Sequence, residues 1–88
     1  MATTIFTHYS DPSHGWLLVP TRSLGAIGLT TASFSRYSYR GPGGVLALEE
    51  DCDAGVFVDA WKAKNGVRPT IIDETTNADA PMRSWRPL

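Results

Sequence analysis

Three groups of residues carry side chains able to do chemistry. His8, Asp11 and His14 stand three apart in one stretch, and two imidazoles with a carboxylate make a set that zinc or iron accepts when a loop draws them together. No fourth ligand accompanies them and Pro12 breaks any helical face, so the expectation is a turn with surface histidines and no metal or cofactor. Glu49, Glu50, Asp51, Asp53 and Asp59 supply carboxylates, but acid–base catalysis needs two acids in unlike environments flanking a substrate. Acids at a helix start more simply cap it and complement its dipole. Asp51 or Asp53 is the predicted N-cap, and the cluster doubles as an acidic contact patch. Cys52 sits beside the same helix start, where a thiol gains acidity. A nucleophilic cysteine also needs a base within reach, and nothing in the sequence brings His8 or His14 to it. The expectation is an inert cysteine and a protein that is not an enzyme.

Two aromatic groups point instead to binding. Tyr37 and Tyr39, flanked by Arg36 and Arg40, resemble in composition a sheet surface that stacks bases. The competing reading packs one face on a helix and leaves the arginines in solvent. Gly41–Gly44 lacks the Lys-Ser/Thr ending of a phosphate loop and reads as a hairpin turn. Arg83-Ser84-Trp85-Arg86 puts a Trp between arginines, the composition of interface hot spots. Trp85 serves equally well folded back over the sheet of a small domain.

The elements that must position these residues follow from periodicity and punctuation. An extended segment over Thr3–Tyr9 leads into a turn at Ser10–Gly15, then the apolar run Trp16–Val19, ended by Pro20. Thr21 is placed to cap a short helix over Arg22–Ile27, with Leu24 and Ile27 inward and Gly28 as its stop. Phe34–Arg40 alternates, with Phe34, Arg36, Ser38 and Arg40 on one face and Ser35, Tyr37 and Tyr39 on the other. It forms a hairpin with Val45–Glu49. Ala54–Lys64 is an amphipathic helix with Phe57, Ala60, Trp61 and Lys64 on its stripe, stopped at Asn65-Gly66. Val67–Asp73 is a last strand, marked as an edge by Pro69. The fold class expected is α+β, a small antiparallel sheet of about four strands with two helices packed on one face. Residues 1–75 form the domain, and 76–88 form an irregular tail, packed on it or mobile.

Whole-chain quantities bound the function. Eighty-eight residues with 42% apolar content suffice for one folded domain. A formal charge of −1 lacks the basic excess of a general nucleic-acid binder. The charge is uneven, however: residues 1–48 hold three Arg against one Asp, and residues 49–88 hold eight acids against five bases. One end thus offers acid to a basic partner. A lone cysteine and the absence of a cationic, then apolar, opening place the chain in a reducing cytoplasm. Apolar runs fall far short of the roughly 20 residues a membrane span needs. Three Trp leave room for a weak homodimer beside the monomer.

Tyr9–Leu18, Phe34–Tyr39, Leu48–Asp53, Thr76-Asn77 and Met82–Arg86 together resemble a family of small proteins carried by phages and mobile elements. The likeness runs along nearly the whole chain, and Leu24–Gly28 departs from the family's more regular helix. The resemblance implies a phage-borne accessory protein that acts in the host cytoplasm by inhibiting a host defence complex. In its sharpest form it is an anti-CRISPR protein covering the DNA-binding surface of a CRISPR-Cas surveillance complex. Such surfaces are basic, so Glu49, Glu50, Asp51, Asp53 and Asp59 are the expected contacts. Tyr37, Tyr39, Arg83 and Trp85 are the expected anchors. The alternative is a small nucleic-acid-binding accessory protein using Arg36, Tyr37, Tyr39, Arg40, Arg83 and Trp85.

Overall fold

A computed structural model describes residues 4–88; the part of the first predicted strand that falls on Thr3 lies outside them. β1 (Ile5–Ser10) turns back through Asp11–His14 into β2 (Gly15–Pro20), with Thr7 opposite Leu18 and Ser10 opposite Gly15. The turn is closed by the Asp11 carboxylate, which accepts the N–H groups of Ser13 and His14 at 2.9 and 3.0 Å. Asp is suited to this because its short side chain reaches the backbone two and three residues on.

From Pro20 the chain does not form the predicted short helix. It makes two 3-10 turns, Thr21–Ser23 and Gly25–Ile27. The Thr21 hydroxyl does not cap them; it donates to the Gly44 carbonyl at 2.7 Å. Glycine at 25 withdraws the helix propensity that four residues of α-turn would need, and Gly28 ends the segment in the left-handed region at φ 80. Leu24 and Ile27 still face the core as expected.

The predicted hairpin forms in part. β3 is only Tyr39–Arg40, paired to Leu46 and Ala47 of β4 (Val45–Glu49). The stretch before it is a 3-10 turn at Thr31–Ser33 and a backbone turn from Ser35 to Ser38. The predicted alternation fails over this stretch: Ser35 and Ser38, expected on opposite faces, both bond the Asp53 carboxylate, although Phe34 and Tyr39 still pack on separate core clusters.

α1 spans Asp53–Asn65 and stops at Gly66, φ 78. Its inward stripe is Ala54, Phe57, Val58 and Trp61, sharing Phe57 and Trp61 with the expectation. Phe6 of β1 meets both rings edge-on, with centroids 5.1 Å away in each case, a geometry the ring quadrupoles favour. Neither Asp51 nor Asp53 caps this helix. The N-cap is Cys52, without a side-chain bond, while Asp53 is buried at 3% exposure.

β5 (Thr70–Thr75) follows α1 and lies parallel to β1 at the sheet edge. This corrects the all-antiparallel expectation. α1 carries the chain back across the sheet, so the strand after it must run as β4 did, and β4 is parallel to β1 because both are antiparallel to β2. The tail adds a sixth strand, β6 (Arg86–Pro87), paired to β3. The architecture is thus α+β with a mixed six-stranded sheet in the order β5-β1-β2-β4-β3-β6, where about four antiparallel strands were expected.

Strand alternation gives the sheet two apolar faces. Phe6, Leu17, Val19, Leu46 and Leu48 pack with Leu24 and Phe57 under α1 and the 3-10 turns. Trp16 and Ala47 on the opposite face are covered by Ala80 and Met82 of the tail. Among the described residues no helix is long and apolar enough to cross a membrane.

Candidate functional site

The site is built where the tail crosses the second face. Asp11, its side chain 1% exposed, takes three further donors besides its own turn: the Ala80 N–H at 2.9 Å and two guanidinium nitrogens of Arg83, Nε at 2.5 Å and Nη2 at 2.9 Å. This is the planar two-point match of guanidinium to carboxylate. It holds the Asp11 carboxyl well below the usual carboxylate range, with the Arg83 hydrogen bonds as the main cause, the N–H groups of Ala80, His14 and Ser13 adding to it and burial opposing it. The same pairing raises Arg83 above its ordinary value. So fixed, Arg83 lies over the Trp16 ring, 5.3 Å from its centroid, where the ring's negative face attracts a cation.

Beside this clasp is an open cleft of about 430 Å³. It is lined by Trp16 and Arg83, by the aromatic side chains of Tyr37, Tyr39 and His14, and by the carboxylates of Glu49 and Asp51. Trp16 stands 6.3 Å from Tyr39 and 6.2 Å from His14, centroid to centroid. Glu49 is locked from below: one carboxylate oxygen accepts the Asp51 N–H at 2.6 Å and the other the Cys52 N–H at 3.2 Å. Asp51 makes no side-chain hydrogen bond or ion pair among the described residues. Since Asp11 offsets Arg83, the cleft carries the uncompensated charge of two carboxylates.

The sequence-selected residues divide among three places. Tyr37, Tyr39, Glu49, Asp51 and Arg83 meet in the cleft. Glu50 and Asp59 lie on the other side of the sheet, in a depression along α1 with Lys62 and Arg68. Asp53 is no surface contact. Its carboxylate accepts the Ser35 N–H at 2.9 Å, the Ser35 hydroxyl at 2.7 Å and the buried Ser38 hydroxyl at 2.5 Å, which ties the segment before β3 to the start of α1. The five acids are therefore not one patch. Trp85 folds back onto the second core cluster, its ring so close to Gly41 that a Cβ there would stand 2.7 Å from it.

The trio His8, Asp11, His14 separates. His8 turns to the α1 side, between Glu50 at 3.5 Å and Asp73 at 3.3 Å, while Asp11 is taken by Arg83. No cluster of metal-ligating side chains occurs among the described residues. Cys52 is exposed and does not line the cleft. His14 does share the cleft with two carboxylates, but it makes no side-chain hydrogen bond to either among the described residues.

Trp16 is the cleft residue that sequence reasoning missed, while His14, read there as a surface histidine of the turn, joins the cleft beside it. Trp16 read as one member of an apolar run, and the signal that singles it out is the alternation of Trp16–Val19, which puts it opposite Leu17 and Val19. Compared with protein families, with characterised proteins and with solved structures, the chain matches none.

Proposed function

We propose that the chain is a binding protein whose cleft engages a basic surface of a protein complex. The observation that supports this is the pairing of exposed aromatic wall with two carboxylates, Tyr37 being 70% exposed beside Glu49 and Asp51. Aromatic rings supply contact area at low entropic cost, and the acids select positive charge while repelling phosphate. The same carboxylates weigh against the nucleic-acid alternative, because they line the cleft with Tyr37 and Tyr39 and would repel phosphate there, and Arg83 is already paired with Asp11. The partner class comes from the resemblance to phage-borne proteins: a host defence complex, and most specifically the DNA-binding surface of a CRISPR-Cas effector.

The test is capture by the tagged chain of purified CRISPR effector complexes, each with and without DNase and RNase treatment. Retention after treatment is the expected result. Asp51→Lys is expected to lower capture at least tenfold, about 1.4 kcal/mol, whereas Glu50→Lys on the opposite side changes it little. Absence of capture for every effector complex removes the anti-CRISPR reading, and capture of nucleic acid alone moves the Arg36–Arg40 segment to the front.

A further inference from the structure

We infer that the cleft is a receptor for a single arginine side chain presented by the partner, its guanidinium laid on the Tyr37 and Tyr39 rings and its N–H groups directed at Glu49 and Asp51. This rests on the reading of the chain as a binding protein for a basic protein surface and names what the cleft takes.

The molecule already holds one guanidinium in this manner. Arg83 is stacked on Trp16 at 5.3 Å and forked onto Asp11 at 2.5 and 2.9 Å, so an aromatic face next to a fixed carboxylate is the chemistry built into this end of the sheet. The same two components, aromatic rings and carboxylates, line the cleft beside it without an internal ligand. Tyr37 is held 70% exposed, and the Asp51 carboxylate has no partner among the described residues. Glu49 is fixed by two backbone N–H groups, which leaves each oxygen a further lone pair and keeps the acceptor from reorganising on binding.

The guest is arginine and not lysine because a planar, weakly hydrated fork stacks on a ring and bonds to a carboxylate at once, whereas an ammonium is a compact, strongly hydrated point charge. The cleft is open to solvent, so it admits a side chain from a protein surface. Phosphate is excluded by the two carboxylates, and Arg83 does not attract it because Asp11 has taken its charge.

The experiment is an NMR titration of the full chain with three capped tripeptides, Gly-Arg-Gly, its citrulline counterpart and its trimethyl-lysine counterpart. Citrulline keeps the shape of arginine and loses the charge. Expected are shifts in the Trp16, Tyr37 and Tyr39 resonances with the arginine peptide, and a dissociation constant at least fivefold lower than for the citrulline peptide. Asp51→Asn and Tyr37→Ala, both at exposed positions, are each expected to weaken the arginine peptide at least threefold with an unchanged circular dichroism spectrum. Equal affinity for arginine and citrulline, preference for trimethyl-lysine, or shifts confined to the α1 side overturns the proposal. If the peptides fail to discriminate while a purified complex is still captured, the arginine receptor is wrong and the binding reading stands. If the arginine peptide discriminates while no effector complex is captured, the anti-CRISPR reading is wrong and the arginine receptor stands.

Discussion

Asp11 joins distant parts of the molecule, since one carboxylate closes the β1–β2 turn, receives the Ala80 N–H and fixes Arg83. Its folded pKa is depressed below the unfolded value of about 3.9. A depressed carboxylate stabilises the fold at pH values above that unfolded pKa, and the stabilisation is lost as pH falls toward the folded value. Asp11→Asn is therefore expected to lower the urea midpoint near neutrality and to flatten its decline below about pH 4. Urea unfolding of both chains at neutral and acid pH checks this, and parallel declines would contradict it. Asp11 was legible only as a turn residue. Its partner is seventy-two positions away, and no local spacing announces such a pair.

At the scale of elements, the tail is held by shape as much as by charge. Leu88 donates its N–H to the Ser38 carbonyl at 2.9 Å, β6 pairs with β3, and Trp85 lies against the bare backbone of Gly41. Only a residue without a side chain permits that approach. Gly41→Ala is expected to push the Trp85 ring outward, lowering stability by about 1–3 kcal/mol as overpacking does and shifting tryptophan emission to longer wavelength. Thermal unfolding and emission spectra measure the two effects; an unchanged spectrum would place Trp85 elsewhere. The turn reading of Gly41–Gly44 was available from the sequence, whereas the ring that requires Gly41 was not. α1 shows the converse case. Its extent and its stop at Gly66 follow from periodicity and a helix-ending glycine, but its capping does not, because Asp53 finds stronger partners in Ser35 and Ser38 than in its own helix terminus.

For the whole molecule, the consequence is that the sheet is a layer with two covered faces, one under α1 and one under the tail. Trp16 at 3% exposure and Ala47 at 0% depend on Ala80 and Met82 for their cover. Removing residues 79–88 strips that cover, the Arg83 clasp and β6 together. The truncated chain is expected to bind a hydrophobic dye and to unfold over a broader urea range than the full chain, since cooperativity in a domain this small needs most of its apolar surface buried. A sharp transition at the original midpoint would show the tail to be dispensable. The cleft depends on the tail, because Trp16 of β2 and Arg83 of the tail line it together.

What the sequence determined by itself is local: the strands about the Asp11 turn, the Val45–Glu49 strand, the extent of α1 and the edge position of the last strand. These follow from period, capping glycines and turn chemistry, which act over a few residues. Tertiary structure decided the rest. It made the sheet mixed, since a helix crossing back over the sheet returns the chain parallel. It drew the tail into the sheet and onto Trp16, since an antiparallel hairpin layer with apolar residues on both faces must cover both. It also sorted five neighbouring acids into a cleft wall, a buried hydrogen-bond acceptor and an outer slope. Adjacent residues at the end of a strand point to opposite sides of a sheet, and only the packed chain shows what waits on each side.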